Sequence, residues 1–508
     1  MNKILAGFTA FSLLVILLGI NRGFDISDEG LYMLLADPAQ ENAAGIFNYD
    51  LFFKLFYKIT GIEFGIVGMR LLRLFVYLLA AISLTFFWKN LTAANKLSLN
   101  LFFFSLLGIF AGYGFLPQSL SYNSLSVVLA CFWLTLISIK NKTTFQYFLI
   151  GLVLACMAYI KITSCLGLGL LTLVWMVYGK EIMLIHILGL IIPMVIIELI
   201  LYLIVGDFAL SRLLEARRMM GYRSEYSYLL LFKYSAVGFF WLAYVSIPFL
   251  LAGKFYSFQP KLKCYILLVG LLMLGCVAYY TAITQEWNHI ILLLTVAVLS
   301  YFAPRLPFAA ISPGQRFLLA ILLVLPFVLH FGSNVYWLRL GIHYWVFWLL
   351  ATLYVLSLIQ VEFRMLTSIA VGLATLLLVG NGMWIHPFEQ EPLWEATQEW
   401  DYGNGNRIKL TEKQIDLLSV IEPIVQDQEQ LLAFYRIPGI PYLLNKTSPK
   451  SPGFWTKSQA EYFFTSEYQT DLLLFYPLDS LPSFVKNDFS MKYIQLPDGN
   501  YLQILWIK

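Results

Sequence analysis

Three carboxylates fall within five residues at Asp25-Ile26-Ser27-Asp28-Glu29, in a chain of which only 13% is charged. Paired carboxylates of this kind can abstract a proton or bind a metal. Ser27 is placed to cap a helix starting at Asp28. Asp28 and Glu29 then occupy the first turn, where the helix dipole favours negative charge. Leu31, Leu34 and Leu35 continue at helical spacing, and Tyr32 lies one turn beyond the acids. The same residues would also serve as plain capping acids on an interfacial loop. What surrounds them decides between the two.

Apolar residues make up 59% of the 508, which describes a polytopic membrane protein and not a soluble core. The net charge is +4 with scattered basic residues, so no nucleic-acid footprint is present. The five cysteines lie in apolar spans without CxxC spacing and read as buried thiols. Apolar runs of bilayer length recur near 4–20, 66–88, 99–116, 122–139, 145–160, 163–178, 182–205, 230–252, 264–283, 290–303, 317–331, 342–360 and 365–384, about thirteen spans in all. The first follows Lys3 and lacks a small-x-small cleavage site, so it reads as a retained anchor.

With the N-terminus in the cytoplasm, every short inside loop carries Lys or Arg: Lys89 and Lys96, Lys140 and Lys142, Lys180, Lys254 with Lys261 and Lys263, Arg305 and Arg316, and Arg364. The acidic stretch, in a first loop at 21–65, and the C-terminal tail then both face outward. Arg22 stands beside the acids. Residues 206–229, with Arg212, Arg217, Arg218 and Arg223 among Glu215 and Glu225, read as an amphipathic outer helix. Its arginines either snorkel or bind an anion. Lys161 sits between two spans at the outer boundary, where a charge marks a candidate site or a snorkelling lysine. Glu286 and His289 share a short outer turn and are candidates for a sugar or a metal, or interfacial polar residues beside Trp287.

After Trp384 the composition turns polar. Thr411-Glu412-Lys413-Gln414 reads as a capping box opening a helix to about Ile424. Leu431–Tyr435, Leu472–Tyr476 and Tyr501–Trp506 read as buried strands, with a helix near Lys457–Ser466. The expectation is a membrane domain over 1–384 and a small α/β domain over 385–508. No phosphate loop or nucleophile motif accompanies it.

Three segments together resemble the GT-C superfamily of integral-membrane glycosyltransferases, in the bacterial branch related to protein mannosyltransferases and lipid A aminoarabinose transferases. They are Asp28-Glu29-x-x-Tyr32, Gly61 through Arg70-Leu71, and Gly151 through Lys161-x-Thr163. The family's His-Pro-Pro is replaced by Phe47-Asn48-Tyr49-Asp50, and the second outer loop, Leu116–Asn123, lacks the further acid that a bridged divalent metal would use. No metal ligand and no certain cofactor is therefore assigned. The resemblance implies a multi-pass protein of the bacterial inner membrane with its site outside the cytoplasm. It implies a polyprenyl-phosphate sugar donor and a protein, lipid or glycan acceptor. Asp28 would be the general base and Glu29 would orient the acceptor. Lys161, Arg22, Arg70, Arg217 and Arg218 would hold the donor phosphate, and Tyr32, Asp25, Glu286 and His289 would contact substrate. A lipid-linked glycan flippase and an O-antigen-type polymerase or ligase are the competing readings.

Overall fold

The computed structural model describes residues 2–507 apart from 44, 46, 221–227, 257–258, 334, 361–363, 404, 465–471, 486–488 and 497–500. The chain is mostly helical. Among the described residues nine helices are long and apolar enough to cross a membrane, and four shorter apolar helices accompany them at Lys3–Gly19, Leu99–Phe115, Tyr122–Ile137 and Thr144–Ile160. The chain is thus a polytopic membrane protein. Every apolar run read from the sequence is helical, because a bilayer leaves backbone groups no partner outside the segment itself.

Two non-spanning helices form the first loop. Asp28–Ala36 is short and almost wholly buried. Asp50–Thr60 is exposed over its whole last half, residues 56–60, and ends at Gly61 in the left-handed region (φ 71°). The next helix, Ile66–Thr92, carries Arg70 and Arg73 inward. Between Thr144–Ile160 and Ile162–Gly179 the chain breaks at Lys161, whose backbone is extended (φ −153°, ψ 97°).

The helix Leu99–Phe110 tightens into a 3₁₀ turn at Ala111–Phe115, which aims the loop at 116–121 toward the acidic helix. That turn crosses the π-helical stretch Gly380–Ile385. A Cβ on Gly382 would lie 1.9 Å from the Gly114 carbonyl oxygen, so the crossing requires glycine.

Beyond residue 385 an antiparallel pair, Gln398–Asp401 with Arg407–Leu410, precedes the helix Glu412–Val425, which opens on the expected Thr411/Gln414 capping box. A four-stranded sheet follows in the spatial order Leu432–Phe434, Leu472–Phe475, Tyr501–Ile507, Phe489–Gln495. Its first pair is parallel and the others antiparallel. The three strands read from the sequence are all present. The strand Phe489–Gln495, the first hairpin and the short helix Gly439–Leu443 were not foreseen.

Residues on either side of position 384 are packed together. Gly23 N–H donates to Lys409 O (2.8 Å), Lys409 N–H to Asn21 O (2.9 Å) and Gln414 Nε2 to Phe24 O (2.8 Å). The Gln40 side chain and the Ser448 backbone exchange bonds of 2.6 and 2.8 Å. Phe24, Met33, Leu34 and Ala36 share one buried core with Ile408, Leu418, Ile440 and Leu474. Each fully buried leucine, methionine or phenylalanine contributes about 1.5–3 kcal/mol, so the C-terminal region takes a direct part in holding the acidic helix.

Candidate active site

The three acids of the stretch Asp25–Glu29 have three different roles. Asp25 is the helix cap. Its Oδ1 accepts Ser27 N–H (2.8 Å), its Oδ2 accepts Glu29 N–H (3.0 Å), and its carbonyl accepts Gly30 N–H (3.0 Å). Ser27 makes no side-chain cap, contrary to the sequence expectation. Its backbone (φ −91°, ψ −92°) is not the extended form from which a hydroxyl folds back on the first turn, and the Asp25 carboxylate reaches those N–H groups instead. Burial, then the charges of Asp28 and Glu389, push the Asp25 carboxyl well above the usual carboxylate range. A fully buried cap is not placed to meet substrate.

Glu29 is paired. Its Oε1 accepts Arg70 Nε (2.9 Å) together with the Ser119 hydroxyl (2.5 Å) and N–H (3.2 Å). Its Oε2 accepts Arg70 Nη2 (2.9 Å) and Asp25 N–H (3.3 Å). Arg70 spends its remaining donors on the carbonyls of Ile20, Arg22 and Gly23. Acid and guanidinium are 0% and 1% exposed, which leaves neither available to a ligand. The assignments of Glu29 to the acceptor and of Arg70 to a phosphate are corrected accordingly. The pair locks the first loop onto the helix Ile66–Thr92, as a buried bidentate pair with satisfied lone pairs can do.

Asp28 is the acid left over. It is half-buried, and its carboxylate accepts no hydrogen bond among the described residues. Burial and the Glu389 carboxylate push it up to about 6, against the opposing pull of the Arg436 guanidinium. Aromatic rings crowd the adjoining turn. Tyr32 and Tyr122 meet edge to face at 6.1 Å, Phe47 stacks on Tyr122 at 4.4 Å, and Tyr49 and Trp455 join the same cluster. The Tyr49 hydroxyl is buried without a hydrogen-bond partner among the described residues. Burial and the Asp28 charge together raise the Tyr32 phenol.

Arg436 and Glu389 come from the C-terminal region and were missed from the sequence. Arg436 belongs to the turn after the strand Leu432–Phe434, and its N–H is fixed to Phe454 O (2.9 Å). The next residues dock on the acidic helix through two glycines. Gly439 N–H donates to Ile26 O (2.7 Å), and a Cβ on Gly30 would lie 2.2 Å from Gly439 N. The Arg-Ile-Pro-Gly run at 436–439 was a local signal of a tight turn, but nothing in it pointed to Asp28.

The other expected cations are dispersed. Lys161 is buried and donates to Leu329 O (2.6 Å), a carbonyl in the last turn of the helix Pro313–His330. That satisfies a helix end with a cation and occupies one of its three N–H donors. Ile160 beside it packs in the cluster of Leu31 and Tyr32. Arg22 turns away to Ala396 O (3.3 Å). On the helix Ala209–Met220, Arg217 is exposed, the Arg218 side chain lies outside the described residues, and so do Arg223 and Glu225. That helix is fastened by Arg212, which grips Asp50 at 2.8 and 3.0 Å, and by Glu215 bonded to Tyr462. Glu286 pairs with Arg339 (2.9 Å) and His289 (3.3 Å) as a separate cluster with no contact to Asp28 among the described residues, which removes both from the expected substrate set.

Among the described residues no group of three His, Cys, Asp or Glu side chains could hold a metal. The chain matches no protein-family model and no curated protein.

Proposed function

We propose that the chain is a membrane glycosyltransferase of the GT-C type that moves a sugar from a polyprenyl-phosphate donor to an acceptor at the outer face of a bacterial inner membrane. The observation that carries this reading is Asp28. Among the described residues it alone of the three accepts no hydrogen bond, it is partly open, its carboxyl is pushed up to about 6, and it adjoins aromatic faces suited to a sugar ring and a prenyl chain. A base is most effective when its pKa lies close to the working pH.

In this reading the Asp28 carboxylate takes the proton of the acceptor nucleophile as the new bond forms at the anomeric carbon. The bond from that carbon to the phosphate oxygen breaks, and the lipid phosphate leaves as an anion. Lys161, with two N–H donors unbonded among the described residues, neutralises it, and Arg436 joins Lys161 in that role in place of Arg70. Asp25, Glu29 and Arg70 hold the loop in place and take no part in the chemistry.

The test is a strain lacking the chain, complemented with wild type or with Asp28→Asn, with envelope glycans compared by mass analysis. Wild type restores a glycan species and Asp28→Asn does not. Restoration by both would remove the base assignment.

A further inference from the structure

A second cavity lies apart from Asp28, where the C-terminal region meets the far end of the acidic helix. Asp37 closes that helix nine residues beyond Asp28, about 13 Å along its axis. The cavity holds about 470 Å³, within the span of small-ligand sites. Widely separated parts of the chain line it. They include Asp37, Glu63 before the helix Ile66–Thr92, the turn that joins the strands Gln398–Asp401 and Arg407–Leu410, and the residues that follow the helix Gly439–Leu443.

The walls are held in place by bonds of their own. Tyr402 N–H donates to Asn406 O and Asn406 N–H to Gly403 O, both at 3.0 Å, which closes the turn. Gly403 has a φ of 108°, and a Cβ there would lie 2.5 Å from Asn445 Cγ, so the turn and the helix end press together. The Tyr402 hydroxyl accepts Ile66 N–H (3.0 Å), and its ring packs on that of Tyr442 with centroids 5.7 Å apart.

Apart from Pro38, Ala39 and Gly403, every lining residue carries a polar side-chain atom. Tyr442 is only 7% exposed, yet its hydroxyl makes no hydrogen bond among the described residues. Burial, then Tyr402 and the charges of Glu63 and Asp37, raises its phenol, so the hydroxyl stands beside two of the cavity's acids. A buried hydroxyl without a partner is costly. The Glu63 and Glu429 carboxylates and the Asn406 and Asn445 amides are also uncommitted among the described residues. The one lining cation, Lys446, is turned to Gln426 O (3.1 Å).

This mixture selects a class of ligand. An apolar molecule would strand the polar wall. A phosphate only accepts hydrogen bonds and would face three carboxylates. An ammonium only donates and would leave the amide N–H groups unused. A calcium ion needs a shell of oxygens at about 2.3–2.6 Å, and among the described residues no three acidic, histidine or cysteine side chains come together to supply one. Sugar hydroxyls donate and accept at once.

We propose that this cleft binds an uncharged glycan, whose hydroxyls donate to Asp37, Glu63 and Glu429, accept from Asn406 and Asn445, and pair with the Tyr442 hydroxyl. The site is separate from the transfer chemistry assigned to Asp28, so either can fail alone.

The purified full chain, fluorescently labelled and applied without any sugar donor to an array of uncharged oligosaccharides and their uronate-bearing counterparts, tests the proposal. Wild type is captured by at least one uncharged glycan and by none of the uronates, because carboxylates on both partners repel. On that glycan Tyr442→Phe, which removes a single oxygen, weakens binding about fivefold, the worth of one hydrogen bond. Asn406→Trp crowds the cleft from an exposed turn and weakens binding further, which keeps the test valid if Tyr442→Phe folds poorly. No capture by any uncharged glycan would overturn the proposal, as would equal capture by uronates or an unchanged affinity in both variants. Capture that EDTA abolishes would make the cleft a cation site and overturn it as well.

Discussion

Asp28→Asn separates function from stability in opposite directions. The wild-type carboxyl is held at about 6 instead of 3.8. At about 1.4 kcal/mol for each pKa unit, keeping it ionised in the fold costs up to about 3 kcal/mol, and about 1–3 kcal/mol once its partial contact with water is allowed for. The folded protein binds this proton more tightly than the unfolded chain, so the cost is absent below about pH 4, grows between 3.8 and 6, and is complete above 6. Asparagine has nearly the same shape and no charge. The variant is therefore more stable than wild type at pH 7.5, and the two converge near pH 4. Transfer falls about 10²–10⁴-fold because the base is gone. In wild type, transfer rises through about pH 6 and levels off above it. Arg436→Gln removes the cation that opposes this shift and moves the midpoint higher. Thermal unfolding at both pH values, with glycan transfer measured from pH 5 to 8, checks each part. A variant that is less stable at pH 7.5, or a wild-type profile flat through pH 5–7, would refute the reasoning.

Three further outcomes follow from the geometry. Glu29→Gln leaves Arg70 as an unpaired buried charge and costs about 3–5 kcal/mol, seen as a lowered unfolding temperature that Arg70→Met partly recovers. A stable Glu29→Gln protein that has lost only transfer would return Glu29 to the acceptor. Gly30→Ala drives a Cβ against the Gly439 backbone, so limited proteolysis releases residues 385–508 faster while the helical signal is retained, and equal protection would show that the contact is dispensable. Lys161→Met raises the apparent donor KM about tenfold or more, the worth of one charge-assisted bond, with kcat little changed. An unaltered KM would leave Lys161 only its bond to Leu329.

What the sequence determined by itself was everything whose physics is local. Apolar runs of bilayer length must be helical because lipid offers the backbone no partner, and all of them are. Thr411 with Gln414, and the buried strands of the tail, were readable because a cap or a short apolar run is specified within a few residues. The acidic stretch stood out for the same reason. The tertiary structure alone decided which of its acids is free. Glu29 is neutralised by Arg70, 41 residues on, and accepts a hydrogen bond from Ser119, 90 residues on, so a residue that looked catalytic and another that looked like a phosphate ligand cancel each other. Asp25 takes the cap that Ser27 was expected to form because backbone angles, and not residue type, set the reach. Arg436 acts on Asp28 from a turn that two glycines let dock against the acidic helix, and Glu389 acts on it from the segment after the last membrane helix. Pairings of that range depend on how the chain closes in space, and no window of sequence around residues 25–32 contains that information.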